Sequence, residues 1–335
     1  MILFRRKAFA RAGLVGNPSD GYHGRTISLL VRNFWAEVTL YEWEDLEIVS
    51  TNEDRSRFQS VDDLVRDVKL HGYYGGIRLI KATIKKFVEY CHRRGLPLHD
   101  RNFSVRYQSN IPRQVGMAGS SAIIVATLRA LMDFYGVEIP REVQPSLVLS
   151  VESEELNIAA GLQDRVIQVY EGLVYMDFSR EQMRSIQGYQ CGVYEPLDIG
   201  LLPPVYVAFS ADVSEPTEVV HNNLRARYQQ GEQKVHDAMR ELAKLTRQAR
   251  EAILGGDAQQ FGACIDRNFE LRRSIMNIAR EHEQMVEFAR AMGATASFAG
   301  SGGAIVGTFP DAATYARLEK TLGAIGCRVI RPLLG

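Results

Sequence analysis

Cysteine is scarce and scattered in this chain of 335 residues: Cys91, Cys191, Cys264 and Cys327 stand far apart, and none forms a Cys-x-x-Cys pair. That argues against a zinc site and against the disulfide framework of a small secreted domain. Dispersed thiols suit a reducing cytosol, where they act as small apolar core residues. Long apolar runs are missing too. No stretch approaches the ~20 residues that a membrane helix needs. The start, Met1-Ile2-Leu3-Phe4-Arg5-Arg6-Lys7, puts its basic cluster after the apolar residues, the reverse of a secretory signal. Net charge is absent as well, since 40 Lys plus Arg balance 40 Asp plus Glu. A neutral chain without a basic aromatic patch has no whole-molecule field for nucleic acid or an anionic membrane. Any anionic ligand must be held by local donors. These absences point to a cytoplasmic protein with no nucleic-acid or membrane partner.

What is present is an ordinary globular composition, 46% hydrophobic and 24% charged, at a length that suits two domains. Val31 to Tyr41 alternates Phe34, Ala36, Val38 and Leu40 with Trp35, Glu37, Thr39 and Tyr41, a strand pattern. Leu46 to Val49 is expected to pair back after an acidic turn. Ile77, Ile80, Ile84, Phe87, Val88 and Cys91 recur at helical spacing, so Gly75 to Arg94 is read as an amphipathic helix. Phe103 to Ser109 is the next strand, Ile123 to Tyr135 an apolar helix closed by Gly136, and Pro140 the opening of a helix reaching about Leu156. Leu173 to Phe178 is a short strand. After Pro203-Pro204 the expected order is a strand (Val205 to Ser210), a charged helical stretch to Gly255, and a helical run from Gly256-Asp257 to about Met292. Two strands (Ala296 to Ala299, Ala304 to Thr308), a helix (Asp311 to Leu322) and a closing strand from Cys327 to Pro332 complete it. This alternation predicts an α+β architecture, divided near residue 200 into segments 1–200 and 201–335.

Between a strand and an apolar helix lies Pro112-Arg113-Gln114-Val115-Gly116-Met117-Ala118-Gly119-Ser120-Ser121-Ala122. Two glycines allow a tight turn and close approach to an anion. The small residues Ala118, Ser120 and Ala122 keep side chains out of the way. The N–H groups that open a helix lack internal partners and carry positive potential, a prepared phosphate site. A hydroxyl at Ser120 or Ser121 can ligate Mg²⁺. The stretch is not the P-loop GxxxxGK[ST], because no lysine stands at the critical place.

Pro-x-x-x-Gly-x-x-x-Ser-Ser-Ala resembles the central signature of the GHMP kinases, named for galactokinase, homoserine kinase, mevalonate kinase and phosphomevalonate kinase. Ala10-Arg11-Ala12-Gly13-Leu14-Val15-Gly16-Asn17 is similar to the family's first motif. Ala299-Gly300-Ser301-Gly302-Gly303-Ala304 is similar to its glycine-rich third. The order is right and nearly the whole chain is covered. The resemblance implies an N-terminal domain like ribosomal protein S5 domain 2, a ferredoxin-like C-terminal domain, and ATP with Mg²⁺. It places the nucleotide on Pro112, Gly116, Met117, Ala118, Gly119, Ser120, Ser121 and Ala122. The metal falls to Ser121 and Glu152, with Glu154 as the alternative carboxylate. The base at the acceptor hydroxyl is Asp164 of Gly161-Leu162-Gln163-Asp164-Arg165, with Arg11 as its cationic partner.

The acceptor loop follows the first motif: Gly16-Asn17-Pro18-Ser19-Asp20-Gly21-Tyr22-His23-Gly24-Arg25-Thr26. It departs from the Glu-His-Thr-Asp-Tyr of galactokinases. Asn17, Ser19, Asp20 and Tyr22 are hydrogen-bonding types that a polyol needs, and Gly302 joins them from the third motif. Within the family the loop, together with Leu173-Val174-Tyr175-Met176-Asp177-Phe178, looks most like plant-type glucuronokinases. That resemblance implies a sugar or uronic acid phosphorylated at its anomeric hydroxyl, with Arg25 or Arg113 available to a carboxylate. The alternatives are another small alcohol, such as a neutral sugar or mevalonate, and a non-catalytic sugar sensor. A homodimer is left open.

Overall fold

A long antiparallel pair, β1 (Leu3–Val15) and β2 (Arg25–Glu42), frames the N-terminal half. The computed structural model describes residues 2–49, 75–210 and 218–334, with side chains from 224 in the last stretch. One edge of β2 carries β1. The other edge is shared: Ala36 to Glu42 pair with β4 (Phe103–Ser109) and Arg25 to Leu29 with β5 (Leu173–Asp177). Short β3 (Glu47–Ile48) adds in parallel outside β4, and β8 (Val193–Leu197) lies outside β5. β6 (Arg184–Ile186) and β7 (Tyr189–Cys191) make a separate hairpin.

Helices cover this sheet because their apolar residues fall on one face. In α1 (Gly76–Arg94), Leu79, Ile80, Phe87 and Cys91 are buried. In α2 (Gly119–Tyr135) nearly every apolar side chain is buried, and Gly136 ends it in the left-handed conformation at φ 65°. The expected opening at Pro140 is replaced by a turn: the Pro140 carbonyl accepts from Val143 and Gln144 N–H, and α3 (Gln144–Ser150) starts one turn later with Pro145 in its first turn. It runs on into a wide turn at Val151–Glu155. α4 (Gln163–Tyr170) returns the chain to β5.

The chain leaves the first sheet at Leu197 and enters a second at β9 (Val205–Ser210). That sheet has the order β10-β11-β9-β12, with β10 Ser297–Phe298, β11 Ala304–Thr308 and β12 Cys327–Ile330, all antiparallel. The charged stretch is two helices, α5 (Glu218–Gln229) and α6 (Gln233–Leu254). The single helical run expected to Met292 is broken into α7 (Ala258–Ile275) and α8 (Arg280–Ala291). No glycine or proline marks the break. Packing decides it: the turn lets Met285, Val286 and Ala289 of α8 join Phe298, Ile305 and Leu318 in a core of their own, and tertiary contact overrides helix propensity there. α9 (Ala312–Gly323) is capped by Asp311, whose carboxylate accepts from Thr314 N–H at 2.7 Å. All four cysteines are free and buried. Among the described residues, no helix is long and apolar enough to cross a membrane.

Candidate active site

Arg11 is the knot of the site. β1 runs Arg11 into the interior, where it is 4% exposed. Its Nε donates to Asp164 Oδ1 at 2.7 Å, and its Nη1 donates to the Gly116 carbonyl at 2.5 Å and the Ala299 carbonyl at 2.8 Å. One guanidinium thus joins the first strand, the loop before α2, the glycine-rich loop after β10 and the start of α4. The backbone repeats the pattern: Arg11 N–H donates to the Met117 carbonyl and Gly13 N–H to the Ala299 carbonyl.

The loop of residues 112–122 wraps this knot. Gln114 sits at φ 59°, Gly116 at φ 71° and Ala118 at φ 63°, so the chain turns left-handed three times before α2 begins. A Cβ on Gly116 would come within 2.7 Å of Ser301 N, and one on Gly300 within 1.9 Å of the Gly116 carbonyl oxygen. The two glycine-bearing loops therefore pack backbone to backbone, closer than any side chain allows. Pro112, Ala118, Gly119 and Ser120 stay partly exposed at the mouth, while Met117, Ser121 and Ala122 are buried beneath them. Ser121 Oγ donates to the Ala118 carbonyl at 3.2 Å, which Gln168 Nε2 also reaches at 2.9 Å. Gly302, at φ 148°, lies in the neighbouring loop.

Asp164 opens α4 and is gripped on its second side as well, with Arg165 Nη1 3.5 Å from Oδ2. Arg165 is itself 4% exposed. Its Nε donates to Glu152 Oε2 at 2.8 Å, Nη2 contacts the same oxygen, and Nη1 donates to the Gly161 carbonyl. Burial pushes the Glu152 carboxyl up while the Arg165 charge pulls it back. Glu152 is thus a buried ion-pair partner, whereas Glu154 is exposed and bonded to Lys86 at 2.8 Å. As magnesium ligands, Ser121 fits directly, because its hydroxyl is bound only within its own helical turn. Glu152 keeps one carboxylate oxygen, Oε1, that Arg165 does not contact. Phosphate oxygens and water would complete the coordination.

The acceptor loop closes over the same corner. Asp20 Oδ2 accepts from Gln163 N–H at 3.2 Å, next to Asp164. Burial and then the Asp164 charge push its carboxyl up to about 6, against the pull of that N–H, Arg11 and Arg165. Asn17 donates to Gln163 Oε1 at 3.4 Å, leaving Asn17 Oδ1 and Gln163 Nε2 buried without partners. Other members of the loop turn to its own frame. Ser19 Oγ donates to the Arg25 carbonyl at 2.9 Å and accepts from Arg25 N–H at 3.1 Å. Arg25 Nε donates to Asp177 Oδ2 at 2.6 Å on β5. The Tyr22 ring packs tilted against Tyr228 of α5, centroids 4.7 Å apart, and burial pushes its hydroxyl up to about 12. Arg113 is exposed at the rim of the phosphate loop.

Sequence reasoning passed over several residues here. Arg165 stood in the quoted Gly-Leu-Gln-Asp-Arg stretch without a role. Gln163 holds Asn17 and Asp20 together, and Asn268 anchors Gly16 N–H at 2.8 Å. Arg272 is wholly buried behind the glycine-rich loop. In sequence it is indistinguishable from its exposed neighbour Arg273.

Residues 78–172 match the model of the GHMP kinases N terminal domain. A probable glucuronokinase 2 of Arabidopsis thaliana is 45% identical over 94% of this chain and 87% of its own length. Glucuronokinase 1 of the same plant is 43% identical over 93% and 86%. The chain belongs to the GHMP kinases. Solved structures agree on the fold: Lactococcus lactis galactokinase complexed with galactose superposes at TM-score 0.78, 15% identical, over 99% of this chain and 94% of that one. A mevalonate kinase superposes at 0.70 over 98% of both chains, 17% identical. The protein is a kinase of this family, and ATP use follows from that membership.

Proposed function

We propose that this kinase transfers the γ-phosphoryl group of Mg-ATP to the anomeric hydroxyl of a uronic acid, as a glucuronokinase. The similarity to two glucuronokinases along almost the entire chain carries the reading. The acceptor corner supports it. Buried polar atoms without partners cost free energy that a ligand hydroxyl can recover, and Asn17 Oδ1 and Gln163 Nε2 are two such atoms beside Asp20 and Asp164.

Asp164 takes the proton from the acceptor hydroxyl as its oxygen bonds the γ-phosphorus and the bond to the ADP oxygen breaks. Arg11 keeps Asp164 anionic and aimed. The N–H groups opening α2 and the backbone of the loop around Gly116 hold the phosphates. Ser121 and Glu152 would hold magnesium, which when bound would neutralise the charge that develops on the phosphates. Arg25 is the acceptor-side cation for the carboxylate, braced by Asp177. Four buried thiols suit the reducing cytoplasm in which such a sugar kinase would work.

The test is an ATP-consumption screen over glucuronate, galacturonate, glucose, galactose and mevalonate. Preference for a uronic acid is the expected result. Turnover of neutral sugars or mevalonate at equal or higher kcat/KM refutes the substrate assignment, and no turnover with any acceptor favours a sugar sensor.

A further inference from the structure

Among the described residues, Arg272 of α7 is the largest side chain sealed in the interior, with 0% exposure. Its Nη2 donates to the Gly300 carbonyl at 2.7 Å and its Nη1 to the Phe298 carbonyl at 3.4 Å, and its face lies 5.2 Å from the Phe298 ring. Its Nε is buried with no hydrogen-bond partner. Among the described residues, no carboxylate forms an ion pair with it. Every other deeply buried arginine of the site has one: Arg11 has Asp164 and Arg165 has Glu152.

A buried guanidinium without an ion-pair partner is costly, and fold stability gives no reason to retain it. An apolar residue would fill the space at less cost. Burial, and then the Arg11 charge, lower its pKa to about 9 against the pull of the Asp20 charge, so it remains a cation at neutral pH. The carbonyl it grips belongs to Gly300, whose loop packs directly on Gly116 of the phosphate loop. The Asp20 charge acts on it without forming an ion pair, so phosphate charge at that junction would complete its balance. We propose that Arg272 is a positioning residue for phosphoryl transfer: it holds the glycine-rich loop against the phosphate loop, and the phosphates of bound ATP supply the negative charge that balances its guanidinium.

The inference rests on the kinase reading but reaches beyond the residues that touch the reactants. It also separates two roles that one arginine could play. If Arg272 only props up carbonyls, a neutral donor can replace it. If its charge matters, only another cation can.

The experiment compares Arg272→Gln with Arg272→Lys in the full chain. The readouts are the rise in Tm on adding Mg-ATP, the rise on adding glucuronate alone, and kcat/KM. A clear Mg-ATP shift in the wild type establishes nucleotide binding independently of the variants. The expected ordering is wild type, then Lys, then Gln, for the Mg-ATP shift. Gln should lose more than half the shift and about tenfold to a thousandfold in kcat/KM, the range for removing one preorganised charge-stabilising group. The Tm without ligand should be no lower for Gln than for Lys. A Gln variant whose Mg-ATP shift equals or exceeds that of Lys overturns the proposal. So does a loss confined to the glucuronate shift, which would assign the charge to the acceptor.

Discussion

Two regions meet at Asp164, and they are built on opposite principles. The phosphate-side junction is made of backbone packed on backbone, with Gly116 against Ser301 and Gly300 against the Gly116 carbonyl, pinned by Arg11. The acceptor loop is made of side chains, and several serve the loop itself: Ser19 closes it on Arg25, and Arg25 is braced by Asp177. A junction that recognises phosphate needs only N–H groups and small residues, which are the same for any acceptor. A loop that recognises one alcohol needs particular polar side chains, and those must also hold the loop. On the proposed reading, the difference would let one phosphate-binding junction serve many acceptors while the side chains of the acceptor loop select among them.

The largest expected effect lies where the two regions join. The Asp164→Asn variant should lower kcat by about 10²–10⁴, the usual span for a positioned acid–base group, while the Mg-ATP thermal shift persists. Steady-state kinetics beside a melting curve with nucleotide measure both. A kcat near the wild-type value would remove Asp164 from the chemistry and leave it as a tether for Arg11.

On the acceptor side, Arg25→Ala should cost about ten- to hundredfold in kcat/KM for a uronic acid, the worth of one charge-assisted hydrogen bond, and little for the neutral sugar. Asp177→Asn supplies the control. If Arg25 only closes the loop, both variants will damage both substrates equally. A selective loss with Arg25→Ala separates recognition from bracing.

On the phosphate side, Glu152→Gln strips the buried Arg165 of its closest counter-charge and leaves Asp164 3.5 Å away. Breaking such a pair typically costs about 3–5 kcal/mol, so its Tm should fall well below that of Glu154→Gln, whose exposed pair with Lys86 is worth at most about 1 kcal/mol. Magnesium titrations of activity complete the test. A higher Mg²⁺ requirement in Glu152→Gln alone supports its place as a ligand. Equal titrations in both variants would leave Glu152 as a structural ion pair.

Sequence carried the elements whose pattern is local. The strand Phe103–Ser109 and the strand Val205–Ser210 alternate visibly or sit after a proline break, and both form as expected. Gly136 marks the end of α2 because only its left-handed turn closes the helix there. The break after Ile275 and the delayed start at Gln144 were illegible, since both follow from what the helices pack against. The same holds in the site. The loop at 112–122 is readable because glycine and serine spacing states a backbone shape. Arg165 and Arg272 are not, because burial distinguishes them from surface arginines and burial is a property of the whole fold. Whether Ser19 faces a ligand or its own loop is likewise decided by Arg25, which lies across the turn.

The smallest effect concerns Asp20, and it probes the acceptor loop without any substrate. Its carboxyl is pushed from an ordinary aspartate value near 3.8 up to about 6, chiefly by burial and then by Asp164. The folded protein therefore holds that proton to higher pH than the unfolded chain does. Between those values the native state binds more protons, so stability falls as pH rises. The contribution is fully present below about pH 4 and is lost as pH passes through about 6. A shift of this size corresponds to at most about 3 kcal/mol, and solvent reaching the partly exposed side chain makes the realised loss smaller. Asp20→Asn cannot ionise and should flatten that part of the curve, matching the wild type near pH 4 and exceeding it in Tm near pH 7. The difference between the two melting curves across pH 4–7 isolates this one group from the other carboxylates, which titrate in both proteins. A constant difference across the window would mean that Asp20 ionises normally, and that the acceptor loop keeps it in water rather than against Gln163.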